Sequence, residues 1–201
     1  MKKISFMIIA LCVTASAVAQ SVVLNSDGRD AAYVKTIVAR SEKNIQSLNL
    51  TGEKFEAVRN IVANRYFELN DIYESEDKAM RDSKLYRSHF AMPAQLSLYL
   101  TQEQIIAVKD AITYNKVKVT YEAYLDEIPT LKEEEKAQIY AWMVEARELA
   151  LDAGNSKGKH EIFNKYKGRV NNYLSKRGYD LNKEREAWFK RIEERKKNAK
   201  K

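Results

Sequence analysis

Thr130-Leu131-Lys132-Glu133-Glu134-Glu135-Lys136-Ala137-Gln138-Ile139-Tyr140-Ala141-Trp142-Met143-Val144-Glu145-Ala146-Arg147-Glu148-Leu149-Ala150 is the stretch that decides the fold class. Ile139, Met143, Ala146 and Ala150 recur at steps of four, three and four, which puts them on one stripe of an α-helix and on no single face of a strand. Tyr140, Trp142 and Leu149 flank that stripe. Thr130 with Glu133 has the spacing of a capping box, in which hydroxyl and carboxylate satisfy each other's backbone N–H groups. The three glutamates that open the run oppose the helix dipole favourably. Pro129 stops whatever precedes it, and Gly154 stands where the helix should stop.

Working outward, the same periodicity recurs on both sides. A helix starting near Ser156 buries Phe163, Tyr166, Val170, Tyr173 and Leu174 and ends at Gly178, and a last one carries Leu181, Trp188 and Ile192 on one side. Upstream, Val34, Ile37, Val38, Ser41, Ile45 and Leu48 form a first helix. Thr51 precedes a second with Phe55, Val58, Ile61, Val62, Leu69 and Ile72, whose helical reading can continue through Glu74–Arg87. Thr101 and Gln104 form another capping box. Only 116–121, where Val117, Val119 and Tyr121 alternate, reads as an extended connector. The stretch from Arg87 to Leu98, with His89, Phe90, Met92 and Pro93, reads as a loop, and loops of that length are often functional. With two prolines and six glycines in the chain, the expectation is an all-α, single-domain bundle of five or six helices. Its expected core holds Val34, Ile37, Phe55, Ile61, Leu69, Ile139, Met143, Phe163 and Val170.

The N-terminus has a different character. Lys2 and Lys3 are followed by an apolar run from Ile4 to Val18 and by Ala17-Val18-Ala19 before Gln20, the three-part pattern of a secretory leader. The expectation is a signal peptide over 1–19, an exported (periplasmic or secreted) mature chain over 20–201, and no transmembrane segment after cleavage. Cleavage removes Cys12, the only cysteine, and with it disulfides, thiolate catalysis and cysteine-ligated metal. Of the net charge of +7, Lys2 and Lys3 supply two, and residues 183–201, with nine Lys or Arg and four Glu, supply five. The intervening body is near neutral, so basicity is confined to the final helix and tail. Such a tail suits acidic polysaccharide or anionic lipid, although a solvated, frayed end is the simpler expectation. Export makes nucleic acid the least suitable partner.

Motifs for chemistry are few. His160 is followed by Glu161, but Asn164 occupies the place of the second histidine of a helical zinc motif, and His89 stands apart. Gly154–Lys159 is one residue short of a phosphate loop and lacks the hydroxyl after its lysine. No metal site, cofactor or catalytic residue is expected. The aromatic residues are more informative: the chain has twelve Tyr and two Trp, and such rings offer an apolar face to the C–H face of a sugar and a polar edge to its hydroxyls. Trp142 sits off its helix's main stripe and is the aromatic best placed for a site. The candidate carbohydrate site combines Tyr121, Tyr124 and Trp142 as stacking rings with Tyr114, Asn115, Glu145 and Arg147, whose amide and charged groups bond hydroxyls or a uronate. A packing network of Tyr, Trp and Arg that fixes the connector to the bundle explains the same residues.

Two resemblances add to this. Thr113-Tyr114-Asn115, Thr120-Tyr121-Glu122-Ala123-Tyr124-Leu125-Asp126, Ile128-Pro129-Thr130, Glu134–Trp142, Glu145–Glu148, Asp152-Ala153-Gly154 and Lys165–Leu174 together resemble domain of unknown function family 3826. These are exported proteins common in Bacteroidetes and described as sugar-binding. The resemblance implies a non-catalytic exported protein that binds oligo- or polysaccharide in glycan use, and it brings no site residues of its own. Leu100-Thr101-Gln102-Glu103-Gln104, with a partial copy at Leu50-Thr51-Gly52-Glu53-Lys54, resembles the Leu-Thr-x-x-Gln motif of small periplasmic chaperones of the Spy and CpxP type. That implies the alternative, a helical chaperone that holds unfolded clients. Oligomeric state is not legible in either reading.

Overall fold

A computed structural model of the protein describes residues 21–74 and 77–199, and every regular element among them is helical. The proposed leader, 1–19, and its cleavage point lie outside the described residues. The elements run α1 (Ala31–Ile45), a 3₁₀ turn (Gln46–Leu48), α2 (Gly52–Tyr73), α3 (Lys78–Ser88), α4 (Ala91–Leu96), α5 (Gln102–Ile112), α6 (Lys116–Glu127), α7 (Glu133–Ala150), α8 (Ser156–Lys176) and α9 (Leu181–Asn198). The all-α expectation holds, but five or six helices was too low a count.

The undercount has three local causes. The second helix does not continue through 74–87: α2 ends at Tyr73, and Asp77 starts a new helix by accepting the Met80 N–H at 3.0 Å. The stretch Arg87–Leu98 is not a loop, since it contains the end of α3 and all of α4. Pro93 is tolerated there because it falls in the first turn of α4, where no N–H is needed. Third, 116–121 is not extended but opens α6. Val117, Thr120, Tyr124 and Ile128 are buried while Val119 is 56% exposed, a helical spacing that overrides the strand preference of the β-branched residues. Tyr114 and Asn115, both left-handed (φ 61° and 53°), make the reversal from α5 into α6.

Capping follows the sequence at one position and departs from it at another. Thr101 and Gln104 form the expected box, with bonds of 3.1 and 3.4 Å, and this ordinary cap accounts for the spacing of the chaperone-like motif. The Thr130–Glu133 box does not form. Instead α7 starts at Glu133, and Glu135 reaches back to the Lys132 N–H at 2.8 Å. Asn155 caps α8 through the Gly158 N–H at 2.9 Å, which is the structural role of the stretch that faintly resembled a phosphate loop.

The helices pack as two adjoining sub-bundles. In the first, Ile45, Val58, Ile61, Val62, Leu96, Val108 and Ile112 of α1, α2, α4 and α5 form a core, with Ile37, Ala63 and Phe67 beside it. In the second, Tyr124, Ile128, Ile139, Met143, Ala146, Phe163, Val170 and Leu174 join α6, α7 and α8. Seven of the nine expected core residues are buried, whereas Val34 and Phe55 are only partly so. The halves are sewn together across α5 and α7 by Arg147 to Asp110 at 3.0 Å and Lys109 to Glu148 at 2.7 Å, and by Leu151, which enters the first core. Arg65 of α2 adds an ion pair to Asp152 at 2.6 Å.

The basic C-terminus is helical through Asn198 and docked, contrary to the frayed end expected. Trp188 donates to Asp126 at 2.6 Å, Arg195 pairs with Asp126 at 2.9 Å, and Arg191 donates to the Asp126 carbonyl at 2.7 Å. These cations meet the C-terminal end of α6, where the orphan carbonyls and the dipole favour positive charge.

Gly154 is required sterically at the α7–α8 turn. A Cβ there would lie 2.6 Å from the Tyr73 ring, which is pinned by a bond from its hydroxyl to the Asp152 carbonyl at 3.0 Å. Gly154→Ala should cost about 1–2 kcal/mol, since the partly exposed ring can swing aside at the loss of that bond. Urea denaturation reads this, and an unchanged midpoint would show that the ring does not hold the turn.

Candidate functional site

α7 and α8 form a helical hairpin, and an open groove of about 790 Å³ runs along its outer face. Trp142 and Leu149 of α7 form one wall, and Ile162, Tyr166, Arg169 and Tyr173 of α8 form the other. Trp142 lies off the buried stripe of α7, as its position in the sequence indicated, and is partly buried. Its ring meets Tyr173 edge-on, with centroids 5.2 Å apart and planes at 87°. The Arg169 guanidinium lies over the Trp142 ring at 4.5 Å and near the Tyr166 ring at 5.7 Å, and it pairs with Glu145 at 3.3 Å. Burial and the Glu145 carboxylate push the Tyr166 hydroxyl up to about 12, so it stays protonated. Lys165, Asn172 and Lys176 face the same groove and have no hydrogen-bond partner among the described residues. The groove therefore offers aromatic surface and uncommitted donors side by side.

The structure brings together only two of the seven expected site residues, Trp142 and Glu145. At about 100° per residue, Tyr140 and Trp142 fall about 200° apart around α7, on opposite flanks of its buried stripe. α6 packs on the Tyr140 side, so Tyr121 meets Tyr140 (5.3 Å) and not Trp142. Tyr124 is a core residue whose hydroxyl donates to Asn171 at 2.7 Å. Tyr114 stacks on His160 at 5.3 Å, near the first turn of α8, and Asn115 serves the turn beside it. Arg147 is buried and committed to Asp110 and Glu148. Burial would raise the Glu148 carboxyl, but Lys109 and Arg147 outweigh it and hold it below its ordinary value. A site where the segment 114–124 meets Trp142 is thus not assembled. Arg147 and Tyr124 belong to a packing network, which the sequence also allowed.

Residues of α8 that sequence reasoning missed replace them. Tyr173 was expected in the core and is a groove wall, and Lys165, Arg169, Asn172 and Lys176 were not singled out. Their signal was legible: they recur at steps of four, three and four, so they share one face of the helix.

A second groove of about 750 Å³ lies over α2, α3 and α4, but its central charges are committed to one another. Arg29 grips Asp71 with two bonds of 2.8 and 2.6 Å, and Arg65 holds Glu68 at 2.6 Å. His89 pairs with Asp152 at 2.7 Å, beside Arg65. Among the described residues, no three His, Cys, Asp or Glu side chains are grouped to hold a metal ion, and no helix is long and apolar enough to cross a membrane.

The sequence pattern of the family described as "Protein of unknown function (DUF3826)" matches residues 34–84 and 75–194. The curated proteins contain no match to the chain.

Proposed function

This chain belongs to the DUF3826 family of proteins of unknown function, and from that premise we propose that it is an exported, non-catalytic protein that binds carbohydrate in the α7–α8 groove. The observation that carries the reading is Trp142. It is a partly exposed indole at a groove wall, braced edge-on by Tyr173 and bordered by unpartnered donors on α8. Stacking rings give a sugar's C–H face an apolar platform, and amide and ammonium groups along the same wall take its hydroxyls. An aromatic platform flanked by donors suits recognition of an intact sugar. The leader pattern over 1–19 supports export to the periplasm or beyond, where oligo- and polysaccharides are met.

The test is a glycan array on the mature protein followed by titration of Trp142→Ala. Binding should fall at least about tenfold, with the melting temperature within about 2–3 °C of the parent because the ring is only partly buried. A steep fall in melting temperature, or no glycan bound at millimolar concentration, overturns the reading.

A further inference from the structure

The cations of α8 narrow the ligand class. Lys165, Arg169 and Lys176 line the groove with Asn172 between them, on one helical face. Lys165 and Lys176 make no ion pair among the described residues. Arg169 has one, Glu145, but the two groups are each 51% exposed and 3.3 Å apart. An exposed pair of this kind is worth little and exchanges readily. The row from Lys165 to Lys176 extends about 16 Å, at ~1.5 Å per residue. A single small anion would engage one of these cations and leave the others unmet. A chain that carries a negative charge on successive units would engage them all.

We infer that the groove takes an acidic oligosaccharide, specifically a run of uronate residues. Its carboxylates pair with Lys165, Arg169 and Lys176 while a pyranose ring lies against Trp142. The inference rests on the carbohydrate reading and adds the charge and the length of the ligand. Binding follows as an exchange. The ligand carboxylate displaces Glu145 from Arg169, with the planar guanidinium accepting it through two parallel N–H donors. As Arg169 swings toward the ligand it leaves the indole face, 4.5 Å beneath it, open for the sugar ring. Arg169 thus covers the stacking platform until a carboxylate draws it off, which disfavours neutral sugars on Trp142.

Calorimetric titration of the full mature chain separates the possibilities. The probes are a galacturonic acid tetramer, the carboxyl-reduced neutral tetramer of the same linkage, and a tetra-aspartate peptide. The uronate tetramer should bind at least about tenfold tighter than either of the others. Arg169→Gln and Lys165→Ala should each weaken it about tenfold or more, and affinity should fall as salt rises. Both residues are exposed, and an unchanged melting curve verifies that each variant is folded. If the neutral tetramer binds as tightly as the uronate, the acidic assignment fails while carbohydrate binding stands. If tetra-aspartate binds equally well, the row is a general polyanion surface and the inference fails. If nothing binds at millimolar concentration, both readings fail together.

Discussion

Arg177→Ala is expected to destabilise the protein clearly, because it strips the one cationic donor from a buried carboxylate. Glu135, at the start of α7, is 1% exposed. It accepts the Arg177 Nε–H at 2.6 Å, the Tyr179 hydroxyl at 2.6 Å and the Lys132 N–H at 2.8 Å. Arg177 closes α8 and also pairs with Glu134, so this cluster ties the start of α7 to the α8–α9 turn. Burial would raise the Glu135 carboxyl, but Tyr179, Lys132 and Arg177 outweigh it and hold it down at about 2. Removing the guanidinium leaves a charge with two neutral donors in a site shaped for three. The loss falls at the low end for a broken buried pair because water can follow through the space Arg177 vacates. The folded-state value lies below the ordinary carboxylate value, so this group's contribution is complete above about pH 4.5 and is lost as pH falls toward 2. Urea midpoints at pH 7 and pH 3 should therefore differ less in Arg177→Ala than in the parent. Adding Glu135→Gln should recover part of the loss. A midpoint unchanged in the single variant would show that Glu135 is already hydrated.

Lys159→Met is expected to act in the opposite direction, raising stability by roughly 2 kcal/mol at pH 7. Lys159 is 4% exposed in the first turn of α8, where the positive end of the dipole also opposes it. Its ammonium donates to the Ile112 carbonyl at 3.2 Å and faces the Tyr66 and Tyr114 rings at 5.4 and 6.0 Å, with no carboxylate partner among the described residues. Burial, with Arg40 nearby, lowers it from 10.5 to about 8. At ~1.36 kcal/mol per unit this corresponds to roughly 3 kcal/mol spent on keeping the charge inside, and the Ile112 bond returns about 1. Methionine keeps the volume and places sulfur against the same rings. The sign with pH is definite. Between about pH 8 and 10 the folded protein gives up this proton before the unfolded chain does, so the parent gains stability as pH rises and the variant does not. Tyr66, pushed up to about 12 by burial, works the other way above pH 10 in both proteins. The stability difference should thus be largest at pH 7 and shrink by pH 10. A variant less stable than the parent at pH 7, or a difference that ignores pH, refutes the account.

The sequence by itself determined the helical class and the inward faces of the long helices. Ile139, Met143, Ala146 and Ala150 are each fully buried, as their spacing required, because a stripe of apolar residues is a property of one segment and its 3.6-residue period. The same local logic singled out Trp142, off the stripe. It also placed the Thr101 cap and the Gly178 stop, where φ is +94°. What a stripe does not contain is the identity of the helix that meets each flank. α8, not the segment 114–124, lies beside Trp142, so Arg169 and Tyr173 entered the groove. Arg147, on the other flank, faces Asp110 of α5 and became part of the interior. Short or weakly striped helices were illegible for a related reason. The helical state of α6 is set by burial of Val117, Thr120 and Tyr124 against α7 and α8, against the preference of its β-branched residues. Likewise the basic α9, charged on most faces, read as a free end until Asp126 and Glu127 of α6 met its arginines. Periodicity resides in single segments; partner choice resides in contacts between residues dozens of positions apart, and tertiary packing decided those.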